Sequence, residues 1–364
     1  MTVVFDPALG TEPWVIFPAT VVASMLLCLL LSPLAGRFGL LDYPSGRKVH
    51  RAPIPLVGGF AIYFVFATSL VLLTPHGNEA LPLLAACALM LVTGMLDDLH
   101  ELGPRIRFLL QISACCIMIF TSGVVLTDFG RLMWDGVLSL GWLSIPITIF
   151  SALGVINAFN MMDGIDGLSS TIFIIAALAM AWLAARAGFD LNVAILMLAA
   201  AAALGFFLVN ARLPWIRRAR VFLGDSGSMF LGLLLAWQFI DLGNGDDRAF
   251  APMTAVWLLG IPLLDTIRLM VHRWRDGRSS MEADQYHLHH AFLKSGFSVV
   301  QTSIAITLLL LFTTAIGLAG EVLAWPEYLM FYGYIGFGLV YLYIMRRCWR
   351  HGKFLGRRVR EDLR

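Results

Sequence analysis

At 364 residues, with 59% apolar and 14% charged side chains and a mean hydropathy of +0.80, the chain falls far outside the soluble globular range. Its formal charge of +2 gives no basis for a nucleic-acid partner, and no repeat or low-complexity tract divides it. It reads as one integral membrane domain over residues 1–364, with a transmembrane bundle at 12–345 and a basic tail at 346–364.

Apolar runs long enough to cross a bilayer as helices occur near 13–34, 56–74, 80–96, 107–127, 138–156, 168–185, 191–210, 226–240, 250–271, 299–320 and 326–345. The expected fold is therefore an all-α polytopic bundle of about eleven transmembrane helices, the run at 80–96 being the shortest. Cys28, Cys87, Cys115 and Cys116 sit inside apolar runs and Cys348 in a basic stretch, so the cysteines spell neither a disulfide framework nor a zinc site.

Cationic loops stay cytoplasmic. Placing the loops at 35–55, 97–107, 157–167, 211–225 and 272–298 and the tail on one side, with Arg268 counted there as lying near a span end, gathers every Lys and Arg except Arg131, Arg186 and Arg248. The N-terminal stretch, with Asp6, Glu12 and no cation, then lies outside the cytoplasm and lacks the cationic region of a signal peptide. The C-terminus lies inside.

Charge inside a bilayer costs several kcal/mol unless it has a partner or a purpose, and here the polar residues gather at the cytoplasmic ends. First come Asp97 and Asp98, with His100, Glu101, Arg105 and Arg107. Adjacent carboxylates are stable ionised when a cation or water attends them. A solvated loop with Asp98 as a helix N-cap explains the pair equally well.

Next come Asn157, Asn160, Asp163 and Asp166, at three-residue steps, with Gly164 and Gly167 between. On a helix such steps keep side chains on one drifting face, and these hard oxygen donors suit Mg²⁺ and the edges of a nucleotide. A glycine turn with Asp166 capping the next helix accounts for Asp166 alone. The third cluster runs from Arg217, Arg218 and Arg220 to Gly224-Asp225-Ser226-Gly227-Ser228, a glycine-flanked carboxylate at a helix start where free N–H groups favour anions. Alone it reads equally as an N-cap.

The fourth is the loop 272–298, with Arg273, Arg275, Arg278, Asp284 and the box His287-Leu288-His289-His290. Histidines contacting diphosphate or sugar oxygens fit the rest of the chain better than a metal tract. Asp265 stands apart inside an apolar run, one turn before Arg268, and reads as a structural ion pair.

Carboxylates, amides and arginines on one membrane face point to an anion bound with a divalent metal. Phosphoryl transfer requires that combination and asks little covalent chemistry of the protein.

Asp97-Asp98, the Asn-x-x-Asn-x-x-Asp-Gly-Ile-Asp-Gly-Leu run, Phe-Leu-Gly-Asp-Ser-Gly-Ser and His-Leu-His-His occur in the order of the polyprenyl-phosphate N-acetylhexosamine-1-phosphate transferases. The chain resembles that family from about residue 35 to 295. It looks closer to the WecA/TagO branch, which starts surface-glycan units, than to MraY, whose histidine box differs and whose donor is a UDP-muramoyl-peptide.

The resemblance implies transfer of N-acetylglucosamine-1-phosphate, or a close relative, from a UDP-sugar to undecaprenyl phosphate at the bacterial inner membrane, giving UMP. It implies Mg²⁺, with Mn²⁺ as a substitute ion, held by Asp225 and Asn160, with Asp97 and Asp98 catalytic. Asn157, Asp163, Asp166, Arg278, His287, His289 and His290 would surround nucleotide, diphosphate and sugar, and Arg105 and Arg107 the lipid phosphate. A homodimer is an open expectation. Where the family often has a lysine after the acidic pair, this chain has Glu101, so that cation's role moves to Arg105 or is absent.

Asp97 is the family's proposed base, but a phosphate monoester with a second pKa near 6 is already mostly dianionic at pH 7. Orientation or metal binding explains Asp97 equally well. Direct attack on the β-phosphorus needs fewer assumptions than a phospho-enzyme. Two rivals remain. A prenyltransferase would need two Asp-rich boxes and has no use for Asn157 and Asn160; a transporter would place ionisable residues near the bilayer midplane.

Overall fold

The structure, a computed structural model, describes residues 12–44, 52–133, 136–213, 216, 218–275, 277, 286–355 and 357–359. Arg217, Arg278 and Asp284, all expected near the site, lie outside the described residues.

Thirteen α-helices make up most of the described chain: α1 (Pro13–Leu31), α2 (Gly58–Leu73), α3 (Leu81–His100), α4 (Pro104–Ser122), α5 (Ser144–Met162), α6 (Leu168–Ala187), α7 (Asp190–Asn210), α8 (Gly224–Leu242), α9 (Pro252–Leu258), α10 (Gly260–Arg275), α11 (Leu288–Lys294), α12 (Val299–Val322) and α13 (Glu327–His351). The only sheets among the described residues are two-residue antiparallel pairs, β1 (Leu41–Asp42) with β2 (Ile54–Pro55) and β3 (Lys353–Phe354) with β4 (Arg357–Arg358).

A helix lies at each of the eleven expected positions, and this is a multi-pass membrane protein. Eight of the helical segments are long and apolar enough to cross a bilayer, or nine if the pair α9–α10, bent by 83°, counts as one span. The helix α2 has 16 residues and falls short in length, while α8 is diluted by Asp225, Gln238 and Asp241. The run at 80–96 proves to be the 20-residue α3.

The end of α4 and the start of α5 depart from the hydropathy reading. The expected span 107–127 stops at Ser122, where Gly123 caps α4 in the left-handed region; the described residues from there to Leu140 lie outside any helix, with Gly130 and Gly136 also at positive φ, and α5 starts only at Ser144. Glycine adopts that conformation without the Cβ penalty that holds other residues in the helix.

Helix α8 is the axis of the bundle: every residue from Gly224 to Leu242 is buried except Asp225 and Asp241. Lipid is as apolar as leucine, so helices in a membrane associate through close packing and small residues. A Cβ on Gly94 of α3 would lie 2.3 Å from the backbone of Asp225, and one on Gly59 of α2 would lie 2.4 Å from Gly227 N. These two glycines let α3 and α2 approach the start of α8 at backbone distance. That start is also pinned by Gly58 N and Gly59 N, which donate to the carbonyls of Phe222 and Leu223 at 3.0 and 3.1 Å.

Helices α1, α12 and α13 lie outside and turn Leu30, Leu308 and Leu339 outward, as lipid-facing helices do. At the break between α9 and α10 the Gly260 carbonyl accepts from buried Tyr334 at 3.0 Å. On the face opposite the acidic cluster, Arg248 pairs with Glu327 at 2.8 Å and Asp128 at 3.4 Å, tying the irregular segment after α4 to the start of α13.

Candidate active site

Four helix ends meet at one face. The C-terminal turn of α3 carries Asp97 and Asp98, and the first turn of α8 brings Asp225 against them. Asp98 does cap a helix, but not the following one that the sequence pointed to: its two oxygens accept from the backbone N–H groups of Asp225 and Ser226 at 2.9 and 3.2 Å. The helix it caps starts 126 residues later, and the carboxylate satisfies two of its orphan donors while facing the positive end of its dipole. Gly224, at φ +75°, makes room, since a Cβ there would sit 2.7 Å from Asp98 Oδ2.

Asp97 is buried and pairs with Arg107 at 3.0 Å. Arg107 also reaches Asn160 Oδ1 at 3.4 Å, and the Asn160 amide donates to Asp225 Oδ1 at 2.6 Å and Ser228 Oγ at 2.8 Å. Asp97, Arg107, Asn160 and Asp225 thus form a closed ring, in which the side chains of Asp97 and Asp225 lie within hydrogen-bonding reach of each other. Two abutting carboxylates require a shared proton or a cation.

The four polar positions from Asn157 to Asp166 do not all converge. Helix α5 ends at Met162, so only Asn157 and Asn160 share its face. The Asn157 amide donates to Gln111 Oε1 at 3.1 Å and the Leu153 carbonyl at 2.8 Å, and Asn157 lines the cavity described below. Asp163 follows the helix as its C-cap and accepts from Ser169 at 2.6 Å; burial, opposed by that hydrogen bond, pushes its carboxyl up to about 7. Asp166 turns away to Arg212 at 2.7 Å. It is not the N-cap of α6, a place Gly167 takes at φ +81°. The Gly167 N–H donates to Asn210, whose own amide donates to the Val221 carbonyl.

The histidine box opens the short helix α11. His289 is buried against Gly164, where a Cβ would lie 2.4 Å from Nε2, and its Nδ1 is buried without a hydrogen-bond partner. Burial, reinforced by His290 and His287, holds its ring well below the usual histidine value, so it is neutral at pH 7. The rings of His287 and His289 stack at 5.5 Å, and His290 lies 4.2 Å from His289.

A cavity of about 870 Å³ joins these parts. Arg107, Asn160, Arg273, His287, His289 and His290 line one end; Phe108, Phe150, Val256 and Ile267 line its length; Phe129, Leu132 and Met253 close the far end. Arg273, buried in this wall, was visible in the sequence only as one cation of a basic loop. Gln111, a lone amide in the apolar run at 107–127, was the available signal for the Asn157 contact. Arg105 is exposed on the first turn of α4, outside the cavity wall, and Arg218 and Arg220 are exposed.

Among the described residues, no three acidic, histidine or cysteine side chains converge as a metal cage. Mg²⁺ does not need one, since it takes one or two carboxylates and completes its octahedron with substrate phosphate and water. The ring around Asp225 supplies hard oxygen donors of that kind and an uncompensated negative charge.

The model of glycosyl transferase family 4 matches residues 80–243, which hold all of α3 to α8. Proteins called undecaprenyl-phosphate alpha-N-acetylglucosaminyl 1-phosphate transferase are similar over nearly the whole chain. That of Yersinia pestis is 34% identical over 337 residues, 92% of each chain. That of Escherichia coli K12 is 31% identical over 91% of this chain and 90% of its own, and that of Pasteurella multocida 31% over 95% and 97%. With likenesses of this extent, the chain belongs to the polyprenyl-phosphate N-acetylhexosamine-1-phosphate transferases of glycosyl transferase family 4, and is a membrane-embedded phosphoglycosyltransferase.

Proposed function

We propose that the protein transfers N-acetylglucosamine-1-phosphate, or a closely related N-acetylhexosamine-1-phosphate, from its UDP carrier to undecaprenyl phosphate with Mg²⁺. The products are undecaprenyl-diphospho-sugar and UMP, and the reaction opens a surface glycan at the cytoplasmic face of a bacterial inner membrane. The observation that carries this reading is the continuity of the charged ring with a long apolar cavity. One end offers Arg107, Asn160, Arg273 and three histidines for phosphates, while the rest is lined mostly by aromatic and aliphatic side chains that suit a polyprenyl chain.

Asp225, Asn160 and Asp97 would hold Mg²⁺, which when bound neutralises the phosphate oxygens and the two carboxylates together. Arg107, anchored by Asp97, presents its guanidinium to the lipid phosphate, and His287, His289 and His290 line the same cavity for contact with diphosphate or sugar. Asp98, with both oxygens committed to the α8 backbone, is a fixed support rather than a proton acceptor. Asp97 is committed to Arg107 and orients it, which agrees with an acceptor phosphate that needs little deprotonation.

The test is UMP release by the purified full-length protein given undecaprenyl phosphate, Mg²⁺ and a panel of UDP-sugars. UMP from an N-acetylhexosamine donor, dependent on both lipid and metal, is expected; no UMP from any donor refutes the function.

A further inference from the structure

Asp265 was expected to be a structural partner of Arg268, and that pair exists, with Arg268 Nη2 3.0 Å from Asp265 Oδ1. It is a small part of what Asp265 does. The carboxylate is fully buried in α10, and Oδ1 also accepts from Tyr341 of α13 at 2.6 Å. Its second oxygen faces the histidine box: Oδ2 lies 2.9 Å from His287 Nδ1 and accepts from Leu288 N at 3.3 Å. Arg268 in turn donates to the Tyr286 carbonyl, so that α10, α13 and the start of α11 are tied through one side chain.

We infer that Asp265 is a positioning residue of the transfer reaction, acting through His287. The inference rests on the proposed function only in taking His287 as a substrate contact. A carboxylate held by Arg268, Tyr341 and a backbone N–H is an acceptor, so His287 Nδ1 must be the donor, which fixes the ring's orientation and proton position. Nε2 is then the nitrogen left for the cavity that His287 lines. In the neutral ring Nε2 accepts, from a sugar hydroxyl for instance; in the protonated ring it donates to a phosphate oxygen, with Asp265 stabilising the cation. Arg268 already balances the Asp265 charge, so the carboxylate does not depend on His287 being charged.

Two experiments test this, both on the full-length protein. In ¹⁵N spectra of histidine-labelled wild type, with the His287 signals identified by their loss in His287→Ala, Nδ1 should carry the proton. A neutral His287 protonated at Nε2 overturns the inference, and this measurement needs no Asp265 variant. In kinetics, Asp265→Asn should lower kcat/KM for the UDP-sugar by about 10–100-fold, the usual effect of removing a carboxylate behind a working histidine. Asp265→Glu, which keeps the charge but displaces it, should not restore the rate. In a His287→Ala background, Asp265→Asn should cost less than about twofold more, because the two act as one unit.

Tyr334→Phe, which removes a buried hydrogen bond from α13 without touching Asp265, should lower the melting temperature and leave turnover unchanged. Full loss by Asp265→Asn on top of His287→Ala, or wild-type turnover in Asp265→Asn, overturns the inference. Absence of UMP from wild type would refute the proposed function instead, and the proton position of His287 would still judge Asp265.

Discussion

Gly94→Ala adds one methyl group where the structure has none to spare. Its Cβ would lie 2.3 Å from the carbonyl carbon and oxygen of Asp225 and 2.3 Å from Ser226 N, all backbone atoms at the first turn of the most buried helix in the bundle. No side chain can move aside, so α3 and α8 must separate by about 1 Å to restore ordinary contact distances. Overpacking of this kind costs about 1–3 kcal/mol. The separation also lengthens the two hydrogen bonds from Asp225 N and Ser226 N to Asp98, each worth about 0.5–1.5 kcal/mol. A melting temperature lowered by several degrees follows.

Turnover should fall further, by about 10²-fold, since a displacement near 1 Å between reacting groups has that effect. UMP release and thermal unfolding in the same detergent measure the two. Gly336→Ala is the control: it lies on exposed α13, no atom lies within 4 Å of the added Cβ, and it should be neutral or slightly stabilising. Wild-type turnover in Gly94→Ala would refute the claim that the contact between α3 and α8 sets the geometry of the acidic ring.

Three other outcomes follow from the same geometry. Asp225→Asn keeps an acceptor for the Asn160 amide and removes one of two abutting carboxylates, so without Mg²⁺ it should melt at or above the wild-type temperature while turnover falls at least about 10²-fold; retained activity at ordinary Mg²⁺ would remove Asp225 from the metal site. Asp163 binds its proton more tightly in the folded protein, at about 7, than in the unfolded chain, near 3.8, so unfolding releases a proton between those values. Stability of the metal-free protein should accordingly decline as pH rises from about 4 to 7, by about 1–2 kcal/mol once screening by water around this half-buried residue is allowed for, and level off above; Asp163→Asn should flatten the slope, and an unchanged slope would contradict the assignment. Arg248→Gln should cost about 1–2 kcal/mol in thermal unfolding, because Glu327 and Asp128 both lose their cation, although Glu327 keeps the Arg131 N–H; unchanged melting would show that the segment after α4 is held by other contacts.

The membrane placement, the helix positions and the four polar clusters were legible in the sequence because hydropathy and charge are local properties. What each polar residue does was less so. Asp98 reads locally as an N-cap, yet it lies inside α3, and its carboxylate instead takes the free N–H groups of a helix that begins at Gly224. Asp166 reads as the cap of α6, yet it is taken by Arg212, 46 residues on. Asp265 showed its neighbour Arg268 one turn away, while Tyr341 and His287 reach it from separate elements. In each case the deciding partner comes from a helix that packing alone brings close. Gly59 and Gly94 look like ordinary glycines of apolar runs until the backbone of α8 is placed against them. The same holds for the ends of spans: hydropathy continues past Ser122, and only a left-handed glycine shows where the helix stops.

The central claim is transfer of the sugar together with its phosphate, and the label that follows the β-phosphorus tests it most directly. With UDP-N-acetylglucosamine carrying ³²P at the β position, undecaprenyl phosphate and Mg²⁺, the label should move into the organic-extractable lipid and leave unlabelled UMP in the water. Label retained in water-soluble UDP would mean that the sugar moves without its phosphate, and would contradict the account.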